Sequence, residues 1–281
     1  MENELQIYND QELDDILGTK VAFAESYKVV HIDNGTDIMG TGATGDFITK
    51  EFNQEAKSVN RIPFAKTFNG VILAAKAQLI DKGKFPTWRT NEFDSTNKAE
   101  KIKVFPLKDG KMIKNAVTNK IVADELTYEE IKQTRKVPLP DGTSQSTYNY
   151  FVILYVGLDN GEIIKLKFKG TSRGNFFDYS KAISYTGAAI YNVMTLFSTY
   201  KDQTTGKFAI KFDYEKNDKG FPKSVDAEEV RKMRVVVAER MKSSNLLSIE
   251  SNKTPLIDVP QPPVDYSDNE EIDINDIPIF D

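Results

Sequence analysis

The sequence predicts a β-rich α+β fold, a small barrel with helical additions followed by a disordered acidic tail. Three observations lead there. Tyr148 to Leu158 and Glu162 to Lys169 are aromatic and β-branched runs joined by Asp159-Asn160-Gly161, which supplies the left-handed positions a tight hairpin needs. Strand-like runs outnumber stretches of helical spacing along the chain. Beyond Ser243 periodicity disappears, and Pro255, Pro260, Pro262 and Pro263 interrupt the chain repeatedly.

Taken in order, residues 1–20 read as an acidic lead-in with a short helix around Asp10 to Leu17. Val21 to Ile32 is rich in Val, Phe and Tyr and predicts a strand. A Gly/Thr-rich loop from Gly35 to Gly45 follows, then a short helical pattern through Phe47, Ile48, Glu51 and Phe52. Val71 to Ile80 is a strong strand and Val104 to Leu107 a weaker one, with the charged stretch Asp81 to Lys101 between them as a long loop. Leu126 to Gln133 has helical spacing, and Pro138 to Gly142 then forces turns.

In the second arm of the hairpin, Ile164, Leu166 and Phe168 alternate with Lys165, Lys167 and Lys169, so one face is apolar and the other cationic. Helical spacing from Asp178 to about Tyr200 predicts a helix across one end of the sheet. Phe208 to Tyr214 alternates as a strand. Asp226 followed by Glu229 starts a helix running to about Met241. Five or six strands with two or three helices fit an oligonucleotide-binding (OB)-like barrel over residues 21–242, rearranged because the long helix follows the hairpin. An α+β sandwich fits the same count. Residues 243–281 form the linker and tip.

Charge is distributed unevenly. The 281 residues carry a net charge of −5. Residues 251–281 hold eight acids against Lys253, and the first 16 residues hold six acids and no base. What remains, residues 17–250, has 36 bases against 28 acids, a net of about +8. An acidic whole therefore contains a mildly basic body, compatible with phosphate binding. The acidic tail is also expected to compete with DNA for that body, most strongly at low salt.

Several chemistries are excluded or unsupported. Without cysteine there are no disulfides, thiolate nucleophiles or thiolate metal sites. His31, the only histidine, lies in an expected strand with no obvious partner and reads as structural. Gly40-Thr41-Gly42-Ala43-Thr44-Gly45 spells a dinucleotide fingerprint but lacks the strand that should feed it, so it reads as a flexible loop. No acids show metal-site spacing. The expectation is a non-enzyme with no catalytic residues, no metal and no cofactor.

Binding single strands without sequence preference needs cations along the phosphates and flat rings for the bases. Three places offer that mixture. One is Lys82, Lys84, Phe85, Trp88 and Arg89 in the long loop; the second is Lys165, Lys167, Lys169, Arg173, Phe176, Phe177 and Tyr179; the third is Arg61, Phe64, Lys66 and Phe68. Each has a plainer reading. Trp88 could be core, Phe176-Phe177 could be a staple before a helix, and the lysines could be an ordinary solvated sheet face.

The last segment combines Glu270, Glu271, Asp273 and Asp276 with Ile277-Pro278-Ile279-Phe280. Exposed Ile and Phe gain nothing in water, so their clustering in an acidic tail implies a partner pocket. This resembles the C-terminal tip of bacterial and phage single-stranded DNA-binding proteins, in which acids followed by Ile-Pro-Phe recruit replication, recombination and repair proteins. The resemblance implies single-stranded DNA as ligand, partner binding through Asp273, Asp276, Ile277, Pro278, Ile279 and Phe280, and a cytoplasmic setting in a bacterium or phage-infected cell. The inserted Ile279 and the terminal Asp281 depart from that tip and point to a cognate partner. The length of the body points to a phage or mobile-element relative. A phage assembly factor that binds only protein, and a carboxylate-metal nuclease, are the alternatives.

Overall fold

A computed structural model describes residues 27–35, 42–53, 58–83, 85–139, 143–244 and 249–251. The acidic lead-in with its expected helix, Lys84, and the tip residues Asp273, Asp276, Ile277, Pro278, Ile279 and Phe280 lie outside them. In chain order the elements are β1 (Val29–Ile32), β2 (Phe47–Asn53), β3 (Ser58–Ala65), β4 (Phe68–Asp81), β5 (Trp88–Thr90), β6 (Ile102–Lys108), β7 (Lys111–Met112), β8 (Ile121–Leu126), α1 (Tyr128–Thr134), β9 (Lys136–Pro138), β10 (Ser144–Ser146), β11 (Tyr148–Gly157), β12 (Ile163–Phe168), α2 (Thr171–Tyr185), β13 (Met194–Lys201), β14 (Phe208–Tyr214), α3 (Ala227–Ser244) and β15 (Ile249–Ser251).

Thirteen strands form one mixed sheet in the order β15-β8-β6-β5-β4-β11-β12-β1-β2-β3, with β13–β14 and β7 attached at its side. The fold is β-rich as expected, but the sheet does not close into a barrel. The cause lies in β4, whose 14 residues outlast any one neighbour. One edge pairs with β11 from Val71 to Asp81. The other edge pairs with β13 over Phe68 to Val71 and meets β5 again at Ile80. The sheet therefore forks at β4 instead of meeting itself.

The β11–β12 hairpin forms where its sequence places it. Leu158 and Glu162 close a three-residue loop, with Leu158 N–H donating to Glu162 O (2.9 Å) and, inside it, Gly161 N–H to Leu158 O (2.9 Å). Gly161 takes φ 81°, which a side chain would disfavour. Inward residues Val152, Leu154, Val156, Ile164, Leu166 and Phe168 form the main core with Phe176, Tyr179 and Ile183 of α2 and Phe197, Ile210 and Phe212 of β13–β14. On the opposite face, α3 covers Val71, Leu73, Ile153 and Tyr155 through Val230 and Val237. Its close approach depends on Gly157, where an added Cβ would lie 2.7 Å from Met233 Sδ. A second core forms around Trp88, where Ala77, Leu79, Phe93, Ile102, Val104, Ile131 and Tyr148 assemble.

The curl of the sheet is held by side chains. Asn34 Nδ2 donates to Phe208 O (3.1 Å), and Phe208 N–H donates back to Asn34 Oδ1 (2.6 Å). Thr199 Oγ1 donates to Gly45 O (2.6 Å). Together they tie the β13–β14 hairpin to the chain between β1 and β2.

Three expectations about elements are corrected. The helical pattern at Phe47 to Phe52 is strand β2, because β1 and β3 pair on its two sides. The helix expected from Asp178 to Tyr200 begins at Thr171 and ends at Tyr185, after which Gly187 (φ 76°) turns the chain. Met194–Lys201 is a strand, with Thr195 and Phe197 buried on alternate positions, because it pairs with both β4 and β14. The Asp81 to Lys101 loop contains the short strand β5. The helix from Asp226 holds: its carboxylate accepts from the Glu228 and Glu229 N–H groups (2.8 and 2.9 Å).

Candidate nucleic-acid interface

Alternation along strands decides which groups share a face. With Ile164, Leu166 and Phe168 turned to the core, Lys165 and Lys167 lie on the other side of β12, and Lys169 follows directly after its last residue. Pairing brings Phe151, Ile153 and Tyr155 of β11 and Lys76 and Gln78 of β4 to that side. Arg89, opposite Ile80, joins from β5, while Trp88 and Thr90 on either side of it are buried. On the far side, β1 pairs in parallel with β12 and antiparallel with β2, adding His31 and Lys50. A half-buried cationic face thus runs across β5, β4, β11, β12, β1 and β2.

The lysine ammonium groups are held over rings and amides. Lys167 Nζ donates to Gln78 Oε1 (2.6 Å) and lies 4.5 Å from the centre of the Phe151 ring. Lys169 Nζ donates to Asn149 Oδ1 (2.9 Å) and lies 5.9 Å from the same ring. Lys165 differs: it is paired with Glu92 Oε1 at 2.7 Å and sits 4.9 Å from the Tyr155 ring. Tyr155 Oη donates to the other oxygen of Glu92. Burial, and next the Glu92 charge, raise the Tyr155 phenol, so it stays a neutral donor.

The electrostatics match the crowding of cations. Burial first, then the Arg89 charge, push Lys167 down to about 8, with Glu92 acting in the opposite sense. Burial, then Lys50 and Lys167, push the His31 imidazole down to about 4. Burial also lowers the Arg89 guanidinium, which nevertheless remains charged. After burial, the cations of this face thus lower one another's affinity for protons.

The expected site residues separate into groups. Lys165, Lys167, Lys169 and Arg89 come together on this face. Arg61 lies at its β3 edge, paired through Nη1 with Asp33 Oδ1 at 2.7 Å and donating to Gly42 O at 3.2 Å. Lys66 is exposed in the turn before β4. Phe64 is half-buried against Phe68, their ring centres 5.4 Å apart. Phe85 is 80% exposed. Arg173 lies on α2, over the Tyr150 ring at 5.2 Å.

The expected stacking platforms are corrected by burial. Trp88, Phe176 and Tyr179 are 5%, 5% and 6% exposed, and Phe177 packs against the main core. Trp88 meets Tyr148 edge-on with Arg135 over its ring at 5.1 Å. Tyr179 Oη shares a hydrogen bond with Thr195 Oγ1 (2.8 Å). Trp88, Phe176 and Tyr179 offer no face to a base in this arrangement; the ring amid the cations is Phe151, half-buried and with the Lys167 and Lys169 ammonium groups over it.

Sequence reasoning missed Phe151, Gln78, Asn149, Lys76, Lys50, His31 and Glu92. Phe151 could have been found, since it sits on the lysine side of the hairpin by alternation alone. Glu92 carries no local signal; Arg89 was named from its basic and aromatic neighbours, but only the register between distant strands sets it beside Lys167.

Among the described residues no group of three His, Asp or Glu side chains is placed to hold a metal ion. Among the same residues no helix is long and apolar enough to cross a membrane. No family model, curated protein sequence or solved structure matches the chain.

Proposed function

We propose that this chain is a non-enzymatic protein that binds single-stranded DNA without sequence preference, and that its acidic C-terminal tip recruits a partner in replication, recombination or repair. The observation that carries the reading is the cationic face built around Phe151, with Lys167, Lys169, Arg89, Lys76 and Lys50 spread over adjacent strands. Lysines two residues apart on a strand are about 6–7 Å apart, a spacing suited to successive phosphates of an extended strand. A ring beneath them suits an unpaired base, which duplex DNA does not present.

Connectivity supports an open, OB-like reading. β4, β11 and β12 form an antiparallel meander, α2 follows the third strand, and β13 returns to pair with β4 before turning into β14. We read this as resembling the strand order of an OB fold, except that β14 pairs only with β13 among the described strands and β1 stands beside β12 where the last strand would close the barrel. In OB folds the outer face of the second and third strands is an oligonucleotide surface. Here those strands are β11 and β12, which carry Phe151 and the three lysines.

The test is a titration of fluorescent oligo-dT at roughly 50 and 200 mM salt, with a duplex of the same length as comparison. Tight, salt-sensitive binding to the single strand is expected, tightening further at low salt when residues 251–281 are deleted. If neither form binds oligo-dT at the lower salt, the reading fails and the protein-only alternative takes its place.

A further inference from the structure

His31 looks structural in the sequence, yet it stands on the open side of β1 among cations. Antiparallel pairing sets it opposite Ile48, two residues from Lys50 of β2 and so on the same face. Parallel pairing of Val29 with Lys165 and Val30 with Leu166 continues to Lys167 beside it on β12. The positive charges acting on the imidazole are those of Lys50 and Lys167. The neighbouring carboxylates are already engaged. Asp33 accepts from Arg61 Nη1 (2.7 Å), Thr44 Oγ1 (3.1 Å) and Gly35 N–H (3.1 Å). Glu92 is held by Lys165 and Tyr155. On β14, which also touches β1, Lys211 and Asp213 pair with each other at 3.5 Å. Glu51 of β2 alternates to the other face.

We propose that His31, Lys50 and Lys167 form a phosphodiester-binding subsite on this face, and that the imidazole takes up a proton when a phosphate occupies it. The inference deepens the single-stranded DNA reading and rests on it. With no ligand, burial and two adjacent cations hold His31 neutral at physiological pH. A phosphate between the three groups reverses the sign of the local field, and the neutral imidazole then becomes a charged donor. Lys167, pushed down to about 8 in the free protein, is restored to full charge by the same anion. Binding is therefore linked to protons through two separable limbs, an acid limb from His31 and an alkaline limb from Lys167.

If the bound phosphate raises the imidazole from about 4 to about 6, the His31 limb alone raises oligo-dT affinity about fourfold between roughly pH 8 and pH 5.5, beyond the smaller gain, up to about twofold, that Lys167 adds over the same range. The only histidine of the chain makes the readout direct. In tag-free protein its ring proton signal is followed by NMR across pH, alone and with oligo-dT or inorganic tripolyphosphate. The expected result is an upward shift of its titration with either anion, and His31→Gln losing the acid-limb gain while matching wild type near pH 8. An unchanged His31 titration in the presence of bound anion, or an identical pH profile in H31Q, overturns the subsite and leaves single-stranded DNA binding standing. A shift with tripolyphosphate without any oligo-dT binding keeps the subsite and overturns the DNA reading. No binding of either anion at any pH overturns both.

Discussion

Replacing Trp88 by alanine separates a core role from a stacking role, and the structure gives the size of the effect. The indole is 5% exposed, packed edge-on against Tyr148 with ring centres 6.0 Å apart and capped by Arg135 at 5.1 Å. A buried Trp removes about 150–250 Å² from water, which at about 25 cal/mol per Å² gives an upper estimate of about 4–6 kcal/mol. Truncations of this kind in protein cores cost about 3–5 kcal/mol, and the lost cation–π contact adds about 0.5–2 kcal/mol. Against a total stability of about 5–15 kcal/mol, Trp88→Ala removes a large share and brings unfolding within reach of mild denaturant. The assay is urea unfolding followed by circular dichroism, because the substitution deletes the only tryptophan. Oligo-dT affinity of the folded fraction is expected to be unchanged, since Trp88 and Arg89 point to opposite faces of β5. A loss of under about 1 kcal/mol in stability together with weakened oligo-dT binding would refute this and put the ring against a base.

Phe151→Ala is expected to weaken oligo-dT by about 1–3 kcal/mol with little change in salt dependence, while Lys167→Ala flattens the salt slope by about 0.7; fluorescence titrations at several salt concentrations distinguish the two, and equal slopes would count against the assignment. Glu92→Gln frees Lys165 from its carboxylate (2.7 Å) and is expected to tighten oligo-dT and steepen the slope by about 0.7; an unaltered slope would mean that Lys165 does not meet phosphate. Asp33→Asn tests the anchor between β1 and β3. Burial alone would raise the Asp33 carboxyl, but hydrogen bonds from the Gly35 N–H, Arg61 and Thr44, with the Arg61 charge, hold it below its ordinary value. A depressed value stabilises the fold above the unfolded carboxyl's titration near 3.9 and loses that contribution as pH falls through the lower folded value. D33N is therefore expected to cost about 1–3 kcal/mol at neutral pH, measured by chemical unfolding, with the gap to wild type closing in acid; a constant gap down to low pH would contradict the linkage.

The hairpin and its lysines were legible because their signals are local. Period-2 alternation and the Asp-Asn-Gly loop fix β11 and β12 within a residue or two, and the Asp226 cap marks the start of α3. Segments whose patterns suit two structures were misread. Phe47, Ile48 and Phe52 fall at helical spacing in too short a window, and only the flanking β1 and β3 make that segment a strand. Ile190, Met194 and Phe197 likewise mimic one helix face, while pairing with β4 and β14 makes Met194–Lys201 a strand. The site was half legible for the same reason. Lysine alternation named one strip of the cationic face. Lys76, Glu92 and His31 reach it through pairings between residues far apart in sequence, for which no local pattern exists, and the same kind of pairing brings Arg89, named from its basic and aromatic neighbours, onto the lysine face. The aromatic residues failed as a guide because a ring in a polar stretch is valued by packing as much as by stacking, and Trp88, Phe176 and Tyr179 were recruited to the two cores.

The ladder between β4 and β11 has a further meaning. Asp81 and Tyr148 face each other at its end, and Lys82 N–H donates to Thr147 O (2.9 Å) one step beyond. Residues 82–147 thus leave and re-enter the β4–β11 ladder at a single rung, where a two-residue turn would suffice to join the two strands. In modular terms the segment is an insert into a finished hairpin. It is also a roof, because its Trp88, Phe93, Ile102, Val104 and Ile131 cover Ala77, Leu79 and Tyr148. It contributes chemistry as well, bringing Arg89 to the cationic face and Glu92 to Lys165. A chain trimmed to the bare hairpin would keep the three lysines and Phe151 but lose both the cation that crowds Lys167 and the carboxylate that occupies Lys165. Charge balance on the face is thus set in part by a segment inserted between β4 and β11, so the charge that the lysines present can change through Arg89 and Glu92 while the residues of β11 and β12 stay as they are.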